Sequence, residues 1–145
     1  MLAIIIVIAT AYTVNARGLK NWTYQELLEK SDLVAIATPI STKDTEEIWV
    51  AEASPIGCTA IGVETQFNVS AILKGDKSLK KIILHYYKIG YALNNGIFNG
   101  PLLLSIDLTQ KQEYLMFLIR EKDGRYAPTV GQVDSGNAGI YILNR

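Results

Sequence analysis

The chain predicts a mostly β domain, closed into a small barrel, with one short helix near its start. Three observations carry this expectation. Residues Val63 to Leu73 alternate strictly, with Val63, Thr65, Phe67, Val69, Ala71 and Leu73 on one face and Glu64, Gln66, Asn68 and Ser70 on the other. A period of two over such a length belongs to a half-buried strand. Asp123-Gly124 separates two strand-like runs, a strong hairpin signal in which both turn positions are expected at positive φ. Six or seven strand-like runs follow one another with no βαβ alternation, and closing such strands on themselves removes exposed edges.

The chain has 145 residues, 49% apolar and 19% charged, with 14 basic and 14 acidic side chains. That is a single domain's length, with enough apolar content to exclude a disordered chain. Zero net charge gives no bulk electrostatic basis for nucleic-acid binding. One Cys and one His exclude a disulfide framework within the chain and any site that needs two imidazoles.

Leu2 to Val14 is a charge-free apolar run of 13 residues. As a helix it would reach only about 20 Å, short of a bilayer core. Val14-Asn15-Ala16 then has the small-residue pattern of a cleavage site. Residues 1–16 are therefore read as a signal peptide and 17–145 as one domain beginning at Arg17, secreted or periplasmic and without a membrane span once cut. A buried first strand is the alternative reading of the run. Export would leave Cys58 without an internal partner, as a small buried apolar residue or, less simply, a dimer link.

In the domain, Thr23 and Glu26 have the spacing of a capping box, which predicts a helix over Tyr24 to Lys30 stapled by Trp22. Leu33 to Ile40 is apolar on both faces and reads as a central strand ending or bulging at Pro39. After Val63 to Leu73, Lys74-Gly75-Asp76-Lys77 is a turn, and Lys81 to Lys88 is the next strand. Pro101 to Leu108 and Glu113 to Glu121 follow, the latter with Leu115, Phe117 and Ile119 inward. Arg125 to Val130 and Ile140 to Leu143 complete the set, with Arg125 toward solvent and Tyr126 paired across the strand. Two long connections remain, Ser41 to Ile61 and Ile89 to Gly100, although Glu47 to Ala51 alternates as a strand would.

Ser31 to Thr38, Phe67 to Asp76 and Glu113 to Leu118 together resemble small exported bacterial domains with an OB-like barrel. The outline is also similar to the barrel of tissue inhibitors of metalloproteinases. Asn99-Gly100-Pro101 and Asp123 to Gln132 resemble uncharacterised exported proteins of planctomycete-type bacteria. The resemblance spans most of residues 31 to 134 and implies a fold and an exported location, but no activity. In those inhibitors an N-terminal cysteine ligates the target zinc; here the first mature residue would be Arg17.

Catalytic chemistry is poorly provided for. His85 lies mid-strand and reads as a packed or hydrogen-bonded histidine, and no Gly-x-Ser-x-Gly elbow exists. Glu46, Glu47, Glu52, Asp107 and Asp134 are the acids that a carboxylate hydrolase could use, but solvated loop acids explain them more simply. Lys74, Lys77, Lys80 and Lys81 form a local basic cluster near Tyr86 and Tyr87, read as a solvated turn and not as a nucleic-acid site. Asn21-Trp22-Thr23 and Asn68-Val69-Ser70 match the glycosylation acceptor pattern, which matters only in a eukaryotic host. Trp49, Tyr91 and Phe98 lie in the long connections, where aromatics either form a binding patch or plug the barrel ends. The expectation is a non-catalytic exported domain with no cofactor and no metal, binding a protein or polymer through these loops. A structural accessory of an envelope assembly and, less simply, a small carboxylate hydrolase are the alternatives.

Overall fold

The computed structural model describes residues 20–50, 59–90, 103–132 and 139–143. The apolar run at residues 2–14, Cys58, Tyr91, Phe98, Glu52 and Asp134 lie outside them. The elements are α1 (Tyr24–Lys30), β1 (Leu33–Val50), β2 (Thr59–Lys74), β3 (Lys81–Ile89), β4 (Glu113–Arg120), β5 (Tyr126–Pro128) and β6 (Ile140–Leu143). The protein is mostly β, as expected.

The sheet order is β1-β2-β3-β5-β4-β6, and β1 also pairs with β4. Five strands therefore form a ring, with β6 appended beyond it. All pairings are antiparallel except β3–β5, which consists of one parallel pair, Leu84↔Tyr126. Inside the ring pack Leu33, Phe67, Leu84, Met116 and Leu118, each fully buried or nearly so. Removing a side chain of this size from water contributes about 1.5–3 kcal/mol. Thr65 is polar yet wholly buried, and its hydroxyl is matched by Thr42 Oγ1 at 2.9 Å and the Tyr86 hydroxyl at 3.0 Å.

A second apolar cluster lies outside the ring. Leu27 from α1 meets Val34 and Phe117, with Trp22 and Tyr141 packed around them. The helix is capped as its sequence demands: Thr23 Oγ1 accepts from the Glu26 amide at 3.2 Å, and Glu26 accepts from the Thr23 amide at 2.9 Å. Those contacts and Lys20 hold the Glu26 carboxyl down at about 2. At the other end Lys74 Nζ donates to the carbonyls of Leu28 and Glu29, and Lys77 donates to that of Ile72. Two of the four clustered lysines thus serve backbone carbonyls.

Several sequence expectations are corrected. The connection from Ser41 to Ile61 is mostly strand, because β1 and β2 run on as an antiparallel arm to Val50↔Thr59. Leu103 makes only an isolated bridge, and 104–108 form no strand; Leu104 and Ile106 instead lean on the ring core. In β4 the inward residues are Tyr114, Met116 and Leu118, whereas Ile119 is exposed and Phe117 faces α1. A strand covered on both faces has no alternation to read. In β2, bulges near Ser70 and Leu73 shift the register, so Ile72 turns to the core and Ala71 and Leu73 turn out.

The β4–β5 hairpin forms where Asp123-Gly124 placed it, but only Gly124 has positive φ, at 93°. The Gly124 amide donates to the Glu121 carbonyl and the Glu121 amide to the Arg125 carbonyl, a turn closed by a glycine bulge. Gly75 also has positive φ, at 103°, and a Cβ there would lie 2.9 Å from the Asp32 carbonyl oxygen. At Gly124 a Cβ would meet nothing within 4 Å. Gly124→Ala is therefore expected to cost about 1 kcal/mol for conformation alone, and Gly75→Ala clearly more. Urea denaturation of the two variants checks the order; equal losses would contradict it.

Candidate functional site

The site is built on a mismatch between β1 and β2. Asp44 pairs with Val63 and Ile48 with Ile61, so Thr45, Glu46 and Glu47 stand against Gly62 alone. The surplus crosses over β2 at Gly62. A Cβ there would lie 2.3 Å from Thr45 Oγ1 and 3.0 Å from Glu47 Cβ, so the crossing requires glycine. It carries the Glu47 carboxylate to β3. There Glu47 Oε2 lies 2.7 Å from His85 Nε2 and accepts from the Tyr87 hydroxyl at 3.5 Å. The two atoms are in close contact without hydrogen-bond alignment, and Nε2 has no other partner among the described residues.

His85 is buried on the outward side of β3, opposite Glu64 of β2. Its Nδ1 faces Glu121 at the end of β4, at 3.0 Å and 3.2 Å from the two carboxylate oxygens. Arg125 follows the hairpin turn and reaches back across the seam. It donates to Glu64 Oε1 at 3.1 Å, Glu47 Oε1 at 3.0 Å and Asp123 Oδ2 at 2.7 Å. Lys43 pairs with the other oxygen of Glu64 at 2.9 Å.

These contacts set the titration of the cluster. Hydrogen bonding from Arg125 holds the Glu47 carboxyl below the ordinary glutamate range, against some burial and with help from His85. Lys43 chiefly, then Arg125, does the same for Glu64. Burial by itself would lower the Arg125 guanidinium, but hydrogen bonding and charge from Glu47, with Asp123, outweigh it and raise it. Burial and the Glu47 charge push the Tyr87 phenol up.

Beside the cluster is a cleft of about 430 Å³, with Trp49, His85, Tyr87, Glu121, Pro128 and Gln132 among its walls. Gln132 closes one side in place of a strand: its Oε1 accepts from the Tyr87 amide at 2.6 Å and its Nε2 donates to the Tyr87 carbonyl at 2.9 Å. Trp49 stands on β1 and not on a loop, and is 61% exposed. It plugs nothing.

Of the other expected residues, Glu47 joins the cluster while Glu46 is exposed. Asp107 is apart, accepting from the amide and hydroxyl of Thr109 in a local turn. Asp76 does the same with Ser78. Arg125, expected in solvent, is only 17% exposed and is the hub of the cluster. Glu64, Glu121 and Gln132 are site residues that no local sequence pattern singles out. Among the described residues no group of three or more His, Cys, Asp or Glu side chains is arranged to hold a metal ion. No helix among them is long and apolar enough to cross a membrane.

The fold and site define a class by their own geometry: a five-stranded ring with an aromatic, acid-edged cleft at its seam. No protein-family model, curated protein or solved structure matches the chain.

Two expected outcomes follow from this geometry. Gly62→Ala should force Thr45 and Glu47 off β2 and separate Glu47 from His85, read as changed ring-proton shifts of His85, the one histidine. Unmoved His85 resonances would count against the crossing. The second concerns acid. A carboxylate held low in the folded chain contributes stability that is complete above its ordinary range and is lost as pH falls through the folded value. Unfolding free energy should therefore fall below roughly pH 4, and Glu64→Gln should flatten that decline. Urea titrations across pH check it, and parallel acid limbs for the two proteins would refute it.

Proposed function

We propose that this protein is a non-catalytic exported binding module on a small OB-like barrel, capturing a protein or polymer partner at the cleft beside Trp49. The ring order, closed by β1–β4 and parallel only at β3–β5, supports the OB-like assignment. The charge-free run before Arg17 supports export. The resemblance to exported domains of planctomycete-type bacteria remains part of the proposal.

One observation carries the binding reading: Trp49 stands in the wall of the cleft and is 61% exposed. Exposed aromatics beside a concave surface are the usual anchors of a partner. The electrostatics of the cluster favour binding over turnover. A carboxylate hydrolase needs one carboxyl held protonated by a raised pKa. Glu47 and Glu64 are shifted the other way. Both His85 nitrogens face carboxylates, which leaves the ring badly placed to serve a hydroxyl nucleophile.

Trp49→Ala should leave the circular dichroism spectrum and unfolding midpoint nearly unchanged, since the side chain is mostly exposed. Capture of whatever co-purifies with the unaltered domain from its own culture should weaken about tenfold or more, as for an interface anchor. Undiminished capture would sink the reading. A stoichiometric neighbour in whole-cell cross-linking that survives Trp49→Ala would instead favour an accessory of an envelope assembly.

A further inference from the structure

We infer that His85 is a proton-operated clasp across the seam: doubly protonated, it ties Glu47 of β1 to Glu121 at the end of β4, and on losing one proton it keeps Glu121 and lets Glu47 go. This is a conformational device built into the ring of strands, and it stands whether or not the cleft takes a partner.

The argument begins with the valence of the imidazole. A neutral ring has one N–H and one bare nitrogen, and only the doubly protonated ring can donate on both sides. Both His85 nitrogens face carboxylates: Nδ1 lies 3.0 Å from Glu121 Oε2, and Nε2 lies 2.7 Å from Glu47 Oε2. A bare nitrogen in either place would set its lone pair against an anionic oxygen. Little water could intervene, because the His85 side chain is only 6% exposed. The arrangement in the structure is therefore that of the imidazolium.

Burial opposes a charge on the ring, and the surroundings answer it. Facing His85 are Glu47 from β1, Glu64 opposite it on β2, Glu121 at the end of β4, and the Tyr87 ring on β3 at a centroid distance of 5.2 Å. Arg125 brings in Asp123 as a fourth carboxylate, and the fixed cations are Arg125 and Lys43. Carboxylates outnumber cations, and a proton on the ring offsets part of the excess.

The two contacts are unequal, which decides the one that opens. Both oxygens of Glu121 lie within hydrogen-bond reach of Nδ1, whereas the Nε2 contact has no such alignment. Glu47 is the more exposed carboxylate, 42% against 29%, and its other oxygen already accepts from Arg125 Nη2 at 3.0 Å. The Tyr87 hydroxyl, 3.5 Å from Glu47 Oε2, is too distant to hold it. When the Nε2 proton leaves to water through the cleft, whose wall includes His85, the remaining proton stays on Nδ1. Glu47 Oε2 then turns from the bare Nε2 toward solvent, while Oε1 stays with Arg125.

The test is a nitrogen-15 NMR titration of the unaltered protein from about pH 5 to about pH 9, in which the one histidine identifies its own ring signals. At the acid end both ring nitrogens should carry protons. At the alkaline end the ring should be the Nδ1–H tautomer, and the backbone amide signals of Glu46 and Glu47 should move with the same midpoint as the ring. In Glu47→Gln, with its fold checked by circular dichroism, the midpoint should fall by about half a unit or more, because a neighbouring opposite charge is gone. The amides of residues 46 and 47 should then move far less. A ring with a single proton at the acid end would overturn the clasp, since a carboxyl would hold the proton instead. An Nε2–H ring at the alkaline end would overturn the release of Glu47, since Glu121 would have let go. Amides of Glu46 and Glu47 that ignore the ring titration would overturn the movement, and an unshifted midpoint in Glu47→Gln would overturn the contact itself. None of these measurements involves a partner, so the capture experiment with Trp49→Ala judges the cleft separately.

Discussion

The ring depends on a seam that backbone hydrogen bonds barely hold. Between β3 and β5 there is one parallel pair, Leu84↔Tyr126, where the neighbouring pairings run for three to thirteen residue pairs. Side chains complete what the backbone leaves undone. Glu121 reaches His85, Arg125 reaches Glu64, and the Gln132 amide pairs with both backbone groups of Tyr87. Each of these joins the β4–β5 side to β2 or β3. Burying a strand edge without partners costs roughly 1–3 kcal/mol for each orphaned group, so a side-chain amide standing in for a strand is a strong local constraint. It also forces the cleft to lie here, because a side chain holds the two edges farther apart than a ladder would.

The ionic part of this seam is better understood as specification than as gross stabilisation. Exposed ion pairs contribute about 0–1 kcal/mol, and buried ones return little beyond their desolvation cost. What the cluster fixes is direction. Arg125 has a planar donor fork, and it engages Glu47, Glu64 and Asp123 from β1, β2 and the hairpin turn at once. Only one placement of the hairpin over the sheet satisfies all three. Gly62 is the steric counterpart: it clears the path by which Glu47 crosses β2 to enter the same network. Sterics at Gly62 and charge at Arg125 thus select the same geometry from opposite sides of the seam.

This explains what the sequence could and could not reveal. Local rules were legible because their causes are local. Thr23 and Glu26 cap α1, Asp123-Gly124 turns the hairpin, and the alternation of β2 from Val63 to Phe67 matches its burial. Alternation failed where bulges intervene, at Ala71 and Leu73, and where both faces are covered, in β4. The cluster was hidden for a different reason. Glu47, Glu64, His85, Glu121 and Arg125 come from four separate stretches and meet only through the ring closure. Their one local trace is that Glu121 and Arg125 flank the hairpin turn four residues apart. An arginine after an Asp-Gly turn ordinarily faces water; here the curvature of the ring folds the hairpin onto β2 and β3.

The position of the cleft then follows from the position of the network. The β1–β2 arm extends past the point where β1 leaves β4 at Ala37↔Tyr114, so its far end is free to carry Ile48, Trp49 and Val50 as an exposed run. The surplus that sends Glu47 inward at Gly62 also resets the register of β1 just before Ile48, so the same three residues decide which side of the arm Trp49 occupies. Anchoring and presentation are therefore coupled. The residue that reaches His85 stands two positions before the aromatic in the cleft wall, on the same strand. On the proposed reading, a seam tied by several side chains beneath an exposed aromatic would meet a partner with little rearrangement, because the ordering cost has been met in folding.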